Sequence, residues 1–371
     1  MLGQVPLLPL EIGICRCCGH VYQRMHFGPE TLADIYEKVY AAYHSPFAGG
    51  VGSGLAQDFL RFLERHADLP GVRVLEIGCY DGYLLSLLRE AHGCLVMGCD
   101  PSPGGAIAES AGIPVRHAYF SPSLFTDRYR LIIMRGLLEH IPGPVAFLAD
   151  ACHVLGDGGT LAIEVPSLIY SLENGVIGDF FHEHISYFTR ESLIRCLRAA
   201  GLTVTASDWE GPYLRVTARR SAGGNPDAIP CTGPEEVILL RSLFGTYQHL
   251  IRRMADELRD LIADAGDKRI YLYGGGGHTI GLLARVHGFL RPKGVIDGDP
   301  AKEGKFIPGF DIPVCSKRIL SSLDAGRDIV IVSSKIFQGE ILRELRPLMK
   351  KGLPVITLYE GVQYAGSRDH A

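Results

Sequence analysis

Three short stretches of this chain combine residue types that can do chemistry. The first is Glu76-Ile77-Gly78-Cys79-Tyr80-Asp81-Gly82-Tyr83-Leu84. Gly78 and Gly82 let the backbone turn sharply and approach a ligand at a helix N-terminus. Glu76 can organise that loop or receive a ligand's ammonium, and Asp81 can line it or cap the following helix. Asp100-Pro101 lies about 20 residues beyond the turn, where a carboxylate accepts hydrogen bonds from ribose hydroxyls in dinucleotide folds. By geometry alone these residues describe a ribonucleoside binder. The second stretch is Asp179-Phe180-Phe181-His182-Glu183-His184-Ile185-Ser186-Tyr187-Phe188-Thr189. Histidine titrates near neutrality and suits proton transfer, but histidines on an irregular loop also serve as surface or capping residues. The third, Gly274-Gly275-Gly276-Gly277-His278-Thr279, looks like a phosphate loop and is followed by Asp297. Its spacing breaks the Gly-x-Gly-x-x-Gly pattern, so nicotinamide binding is not supported. Lys302, Lys305 and Lys335 read as solvated charges.

Two further groups carry weaker signals. Tyr36, Tyr40, Tyr43 and Phe47 have helical spacing and read as a packing stripe, with Tyr43 set apart below. Of the 10 cysteines only Cys15, Cys17 and Cys18 cluster. Cys15-x-x-Cys18 could supply only two of the four ligands a tetrahedral zinc needs, and Cys17, His20 or His26 are poor substitutes for the rest, so zinc is not expected.

The elements that must position these residues follow from apolar periodicity. Strands are expected at 72–77, 94–99, 130–134 and 160–165, with helices at 83–90, 104–111 and 145–155 between them. Strands separated by single helices imply a parallel, doubly wound α/β sheet of Rossmann-like type. Residues 221–234 are turn-forming and low in apolar side chains, as a linker is, and a long amphipathic helix follows from Pro234 to Ala265. The alternation then restarts, with strands at 270–273, 294–297, 329–333 and 355–358 and helices at 280–287, 316–323 and 338–349. This predicts a second, smaller Rossmann-like α/β domain. The expected division is a cysteine-containing hairpin region over 1–30, a first α/β domain over 31–220, linker and long helix over 221–265, and the second domain over 266–371.

A length of 371 residues favours two domains, and 47% hydrophobic content is ample for their cores. Net charge is −4 with no basic block, which argues against wholesale nucleic-acid or membrane-surface binding. No apolar run approaches the roughly 20 residues that span a bilayer. The opening residues lack the pattern of a secretory signal, so a cytoplasmic location is the expectation. The composition leaves the oligomeric state open.

The order Glu-x-Gly-x-x-x-Gly, Asp100-Pro101, then Arg135-Gly136-Leu137-Leu138-Glu139-His140-Ile141-Pro142 resembles class I S-adenosylmethionine-dependent methyltransferases. Within that class the chain is similar to the nucleotide-sugar C-methyltransferases, which share the His-Glu-His-x-Ser-Tyr-Phe element. Gly112-Ile113-Pro114, Glu164-Val165-Pro166, Leu214-Arg215-Val216, Tyr273-Gly274 and Asp297 to Pro313 align in the same order. The resemblance implies S-adenosylmethionine as cofactor, with Glu76, Gly78, Asp81, Gly82, Asp100, Pro101, Arg135 and His140 around it. It implies a nucleotide-linked 4-keto-deoxysugar as acceptor, methylated on carbon through an enolate. His184 would be the base, with His182 and Glu183 beside it, and Tyr43 would match a pocket tyrosine. Arg215 and His278 would meet the substrate, His278 standing where the family has lysine. Phe181 replaces the family's tyrosine, and Asp208-Trp209-Glu210-Gly211-Pro212-Tyr213 replaces its Thr-His-Gly-Gly-Ser stretch. The bulk of Trp209 and Tyr213 would reshape the pocket. An O- or N-methyltransferase, or a non-catalytic nucleotide-binding relative, are the alternatives these departures leave.

Overall fold

The computed structural model describes residues 10–25, 27–34, 36–37, 45–48, 52–221, 233–335, 337–359 and 362–365. It divides into two compact units, one of Leu10–Ile169 and His182–Leu239, the other gathering Tyr170–Phe181 with Leu240–Ala371.

The first unit opens with an antiparallel hairpin of β1 (Ile12–Ile14) and β2 (Val21–Gln23). Helices α1 (Pro29–Asp34) and α2 (Ser53–His66) follow, the latter burying Ala56, Phe59, Phe62 and Leu63 along one stripe. The alternation is then β3 (Arg73–Ile77), α3 (Tyr83–His92), β4 (Leu95–Cys99), α4 (Gly104–Ser110) and β5 (Val115–Arg116). It continues with β6 (Tyr129–Arg135), α5 (Pro144–Val154) and β7 (Leu155–Pro166), after which the chain enters α6 (Leu168–Glu173), whose residues from Tyr170 onward belong to the other unit. Last come β8 (Ser186–Tyr187), α7 (Arg190–Ala199), β9 (Leu202–Asp208) and β10 (Tyr213–Arg220).

Seven of these strands form one sheet in the order β5-β4-β3-β6-β7-β10-β9. All neighbours are parallel except β10, which runs antiparallel to both β7 and β9. The two central strands are buried on both faces. Along β6, Leu131 and Ile133 join a core with α2 and α3, while Ile132 and Met134 join a second core with α5 and α7. That alternation follows from the pleat, and it explains why these strands read as unbroken apolar runs. The β9–β10 hairpin was not expected, although Leu214, Val216 and Ala218 alternate as a half-buried strand should. A small sheet, β1-β2-β8, pairs the N-terminal hairpin with the strand that follows His184.

In the second unit, α8 (Pro234–Ala265) leads into β11 (Arg269–Tyr273), α9 (Gly277–Val286), β12 (Gly294–Asp297) and β13 (Val314–Ser316). After them come β14 (Asp328–Val332), α10 (Gln338–Met349), β15 (Val355–Thr357) and β16 (Gln363–Tyr364). The sheet order is β13-β12-β11-β14-β15-β16, parallel apart from β16. Residues 317–322, expected as an α-helix, form a 3-10 segment after the Ser316 cap. No helix among the described residues is long and apolar enough to cross a membrane.

Candidate active site

The carboxyl ends of β3, β4 and β6 place the glycine turn, Asp100 and Arg135 along one edge of the sheet, where ligands bind in open α/β folds. Gly78 and Gly82 take φ of 76° and 69°. A Cβ on Gly82 would lie 2.8 Å from the Cβ of Ala108, so glycine also lets α4 approach the turn. The Gly78 N–H donates to the Cys99 carbonyl at 2.8 Å, tying the turn to β4. Asp100 is buried, its Oδ2 accepting the Tyr80 N–H at 2.7 Å and its Oδ1 the Ser102 N–H at 2.8 Å. Each oxygen keeps a further lone pair for a ligand hydroxyl. Pro101 is half-buried at the turn that follows. Asp81 accepts the Tyr83 N–H at 3.0 Å, a local turn bond just ahead of α3, whose N-cap is Gly82 with no side-chain cap bond.

Glu76 is 1% exposed and stands at 4.0 Å from Arg135, yet its Oε2 has no hydrogen-bond partner among the described residues. Burial pushes its carboxyl up to about 8, against the pull of Arg135. A buried acceptor without a donor is a place for a ligand's ammonium. These residues therefore fit S-adenosylmethionine: an under-satisfied carboxylate, a glycine turn and an anchored carboxylate at the next strand.

Beside this edge lies a histidine cluster. His140 follows β6, and its Nδ1 is 2.9 Å from the Glu183 carbonyl and 3.0 Å from the Tyr36 hydroxyl. A carbonyl only accepts, so Nδ1 carries the proton and Nε2 the lone pair. Burial holds the His140 ring down to about 4, hence neutral. His184 is buried, its ring centroid 4.9 Å from that of His140 at 73°. Glu183 is raised by burial. His182 packs against Phe27 at 5.6 Å. The Ile185 N–H donates to the Glu139 carbonyl at 2.8 Å, and the Gln23 N–H to the Ile185 carbonyl at 2.9 Å. Those bonds hold the His182–His184 segment between the post-β6 loop and β2. Donor atoms of Glu139, His140 and His184 lie within 4.8 Å of one another, a set able to hold a cation as well as to move protons.

Two residues here were not singled out for chemistry by sequence. Tyr36, read as part of a packing stripe, instead hydrogen-bonds His140, a contact 104 residues apart that periodicity does not report. Glu139 is buried beside both histidines. Tyr43 and Tyr40 lie outside the described residues. Phe47 packs edge-on to Tyr83 at 5.1 Å.

Arg215 on β10 is paired with Glu164 on β7 at 2.6 Å, both side chains largely buried. Trp209, expected to reshape the pocket, packs on the first unit's core with Arg190 stacked over it at 5.4 Å. In the second unit, His278 was expected at a substrate diphosphate. Its ring fills the space above Gly178 and lies 3.2 Å from the Tyr359 hydroxyl. Burial holds it down to about 4, so the ring is neutral and what it could offer a phosphate is an N–H rather than a charge. The Asp297 carboxylate accepts the Gly275 N–H at 2.6 Å, closing the glycine loop.

Cys15 and Cys18 flank a turn closed by the Gly19 N–H on the Cys15 carbonyl at 2.9 Å. His20 turns away to Ser186 at 3.2 Å and Phe188 at 5.3 Å, while His26 lies outside the described residues. Among the described residues no third cysteine, histidine or carboxylate joins the pair within ligand distance.

Two family models match the chain in succession, a methyltransferase domain over residues 48–207 and a C-methyltransferase C-terminal domain over 214–358. The C-methyltransferase NovU of Streptomyces niveus is 27% identical over 332 residues, covering 85% of this chain and 78% of that protein. A ubiquinone biosynthesis O-methyltransferase of Methylobacterium sp. (strain 4-46) is 27% identical over 154 residues, 37% of this chain and 61% of its own. Among solved structures, an S-adenosylmethionine dependent methyltransferase from Mesorhizobium loti covers 46% of the chain at TM-score 0.39 and 16% identity, a likeness too slight to carry an argument. With a methyltransferase domain matched over residues 48–207 and a C-methyltransferase C-terminal domain over 214–358, the chain belongs to the class I S-adenosylmethionine-dependent methyltransferases that carry that C-terminal domain.

Proposed function

We propose that this methyltransferase alkylates a carbon atom beside the ketone of a nucleotide-linked deoxysugar. The observation that carries the reading is the pair of half-buried His140 and buried His184 beside the cofactor edge, with His140 fixed in one tautomer by the Glu183 carbonyl. When bound, S-adenosylmethionine supplies an electrophilic methyl group. Carbon methylation also needs a base to remove the proton next to the carbonyl, which transfer to a hydroxyl needs less stringently. His184 is the candidate for that base. His140 and Tyr36 brace the segment that bears it, and Glu183 contributes its carbonyl to His140 and its carboxyl to the pocket. Glu76, the glycine turn, Asp100 and Pro101 would hold the cofactor, with Arg135 setting the field at Glu76. Arg215, neutralised by Glu164, would offer its remaining N–H groups to the acceptor.

The match to NovU runs through both domains, whereas the O-methyltransferase match covers 37% of the chain, which favours carbon over oxygen. The test is transfer from labelled S-adenosylmethionine to a panel of nucleotide-linked 4-keto-deoxysugars in deuterated water. Label on carbon is expected, and with S-adenosylhomocysteine in place of the methyl donor the recovered sugar should exchange deuterium into the position beside its ketone in a His184-dependent manner. Label on oxygen or nitrogen without exchange would discard the enolate route.

A further inference from the structure

Tyr80 is the one non-glycine residue with a positive φ among those described, at 47°, within the glycine turn itself. A side chain in the left-handed region carries a conformational cost that glycine does not, so a tyrosine there calls for a compensating contact. Two are visible. The twist points the Tyr80 N–H at Asp100 Oδ2, 2.7 Å away. It also lays the aromatic ring across Gly104, in space that a Cβ on that residue would occupy. Gly104 opens α4, and its N–H is 3.3 Å from Ser102 Oγ, while the Ser102 N–H holds the other oxygen of Asp100. The β3–α3 turn and the β4–α4 turn are thus joined twice, once through a carboxylate and once through a ring on a glycine.

We infer that Tyr80 is a positioning residue for the nucleoside end of the cofactor. Its left-handed backbone sets the Asp100 carboxylate, and its ring locks the two turns at the spacing a ribose requires. The inference rests on Asp100 as the ribose acceptor. Tyr80 need not touch the methyl group, so its effect falls on binding rather than on the chemical step.

The test is calorimetric titration of S-adenosylhomocysteine into the full chain and its variants, beside thermal melts. Tyr80→Gly, which adopts the same φ freely, is expected to keep its Tm within a few degrees and to bind roughly tenfold more weakly. Tyr80→Phe, keeping ring and backbone, is expected to stay within about twofold of the parent. Gly104→Ala displaces the ring from the other side and is expected to weaken binding similarly. In Tyr80→Gly/Gly104→Ala the second change is expected to add nothing, because the ring it displaces is gone. Affinity within twofold of the parent in Tyr80→Gly, or fully additive losses in the double variant, would overturn the inference. Asp100→Ala separates the premise: if that variant binds normally, the ribose assignment fails whatever Tyr80 does.

Discussion

Replacing Glu76 with glutamine tests the electrostatics of the cofactor site, because the size of the effect is set by the carboxyl's pKa near 8. At pH 6 about a hundredth of the parent protein has Glu76 ionised, at pH 7 about a tenth, and at pH 8 about half. The neutral acid and the glutamine amide offer a ligand ammonium nearly the same dipole. A charge-assisted hydrogen bond from the ammonium to the carboxylate contributes about 2 kcal/mol more, or roughly thirtyfold in affinity. The parent-to-Gln affinity ratio should then be about 1 at pH 6, about 4 at pH 7, about 15 at pH 8, and level off near about 30. The ligand's own amino group titrates in the same range but appears in both proteins, so the ratio is the quantity to follow. Titrating S-adenosylhomocysteine by calorimetry in two buffers of different ionisation enthalpy also counts the proton that Glu76 releases on binding. The linked stability has a definite sign. A carboxyl raised from 4.5 to about 8 takes up a proton on folding, so its contribution is complete below 4.5 and lost as pH rises through 8. The ligand-free parent should therefore lose stability across that window relative to Glu76→Gln. A ratio that stays flat from pH 6 to 9 would refute the reasoning.

Four further outcomes follow from named contacts. Asp100→Ala removes the acceptor for the Tyr80 and Ser102 amides and should weaken S-adenosylhomocysteine binding by about 1–3 kcal/mol. His184→Asn should leave that affinity within about twofold while lowering turnover by about 10²-fold or more, so equal loss of binding in both would contradict the division of roles. Gly82→Ala puts a Cβ 2.8 Å from Ala108 at a φ of 69° and should cost about 1–3 kcal/mol in urea unfolding. Dialysis against a chelator should leave turnover unchanged if the Glu139–His140–His184 group moves protons, whereas stoichiometric restoration by a divalent cation would reassign it as a metal site.

The central strands were legible because both faces of β3 and β6 are covered, which leaves an apolar run that no solvent-facing residue interrupts. Helix α8 was legible end to end, since it starts at Pro234 and keeps its stripe of Leu240, Tyr247, Ile251, Met254 and Leu258 through to Ala265. The glycine turn could be read locally, because its ring of contacts spans residues 76–104. Tyr36 and His278 could not. Each takes its role from a partner remote in sequence, His140 in one case and Gly178 with Tyr359 in the other, and residue spacing carries no information about such partners. The short strand β8 escaped for a related reason, as two residues hold too little pattern to distinguish a strand from a loop, whereas the β1–β2 hairpin lies within the hairpin region expected over 1–30.

The same limit concealed an arrangement that explains why Glu76 is the residue left under-satisfied. Glu76, Arg135, Glu164 and Arg215 lie on β3, β6, β7 and β10, four consecutive strands of the sheet, and alternate in sign. Arg135 and Arg215 both stand in register with Glu164, from opposite sides. Glu164 is raised by burial but pulled back by two guanidinium groups, one of them hydrogen-bonded to it at 2.6 Å. Glu76 ends the row, with Arg135 alone on its flank and only at 4.0 Å. Buried charges persist when paired, and a row of four that pairs one carboxylate twice leaves the other short of positive charge. A cation arriving at the cofactor edge completes the alternation. Arg135→Leu should therefore act at two sites in the same direction, raising both carboxyls: it deprives Glu164 of one partner, and it leaves Glu76 more dependent on the ligand for its charge.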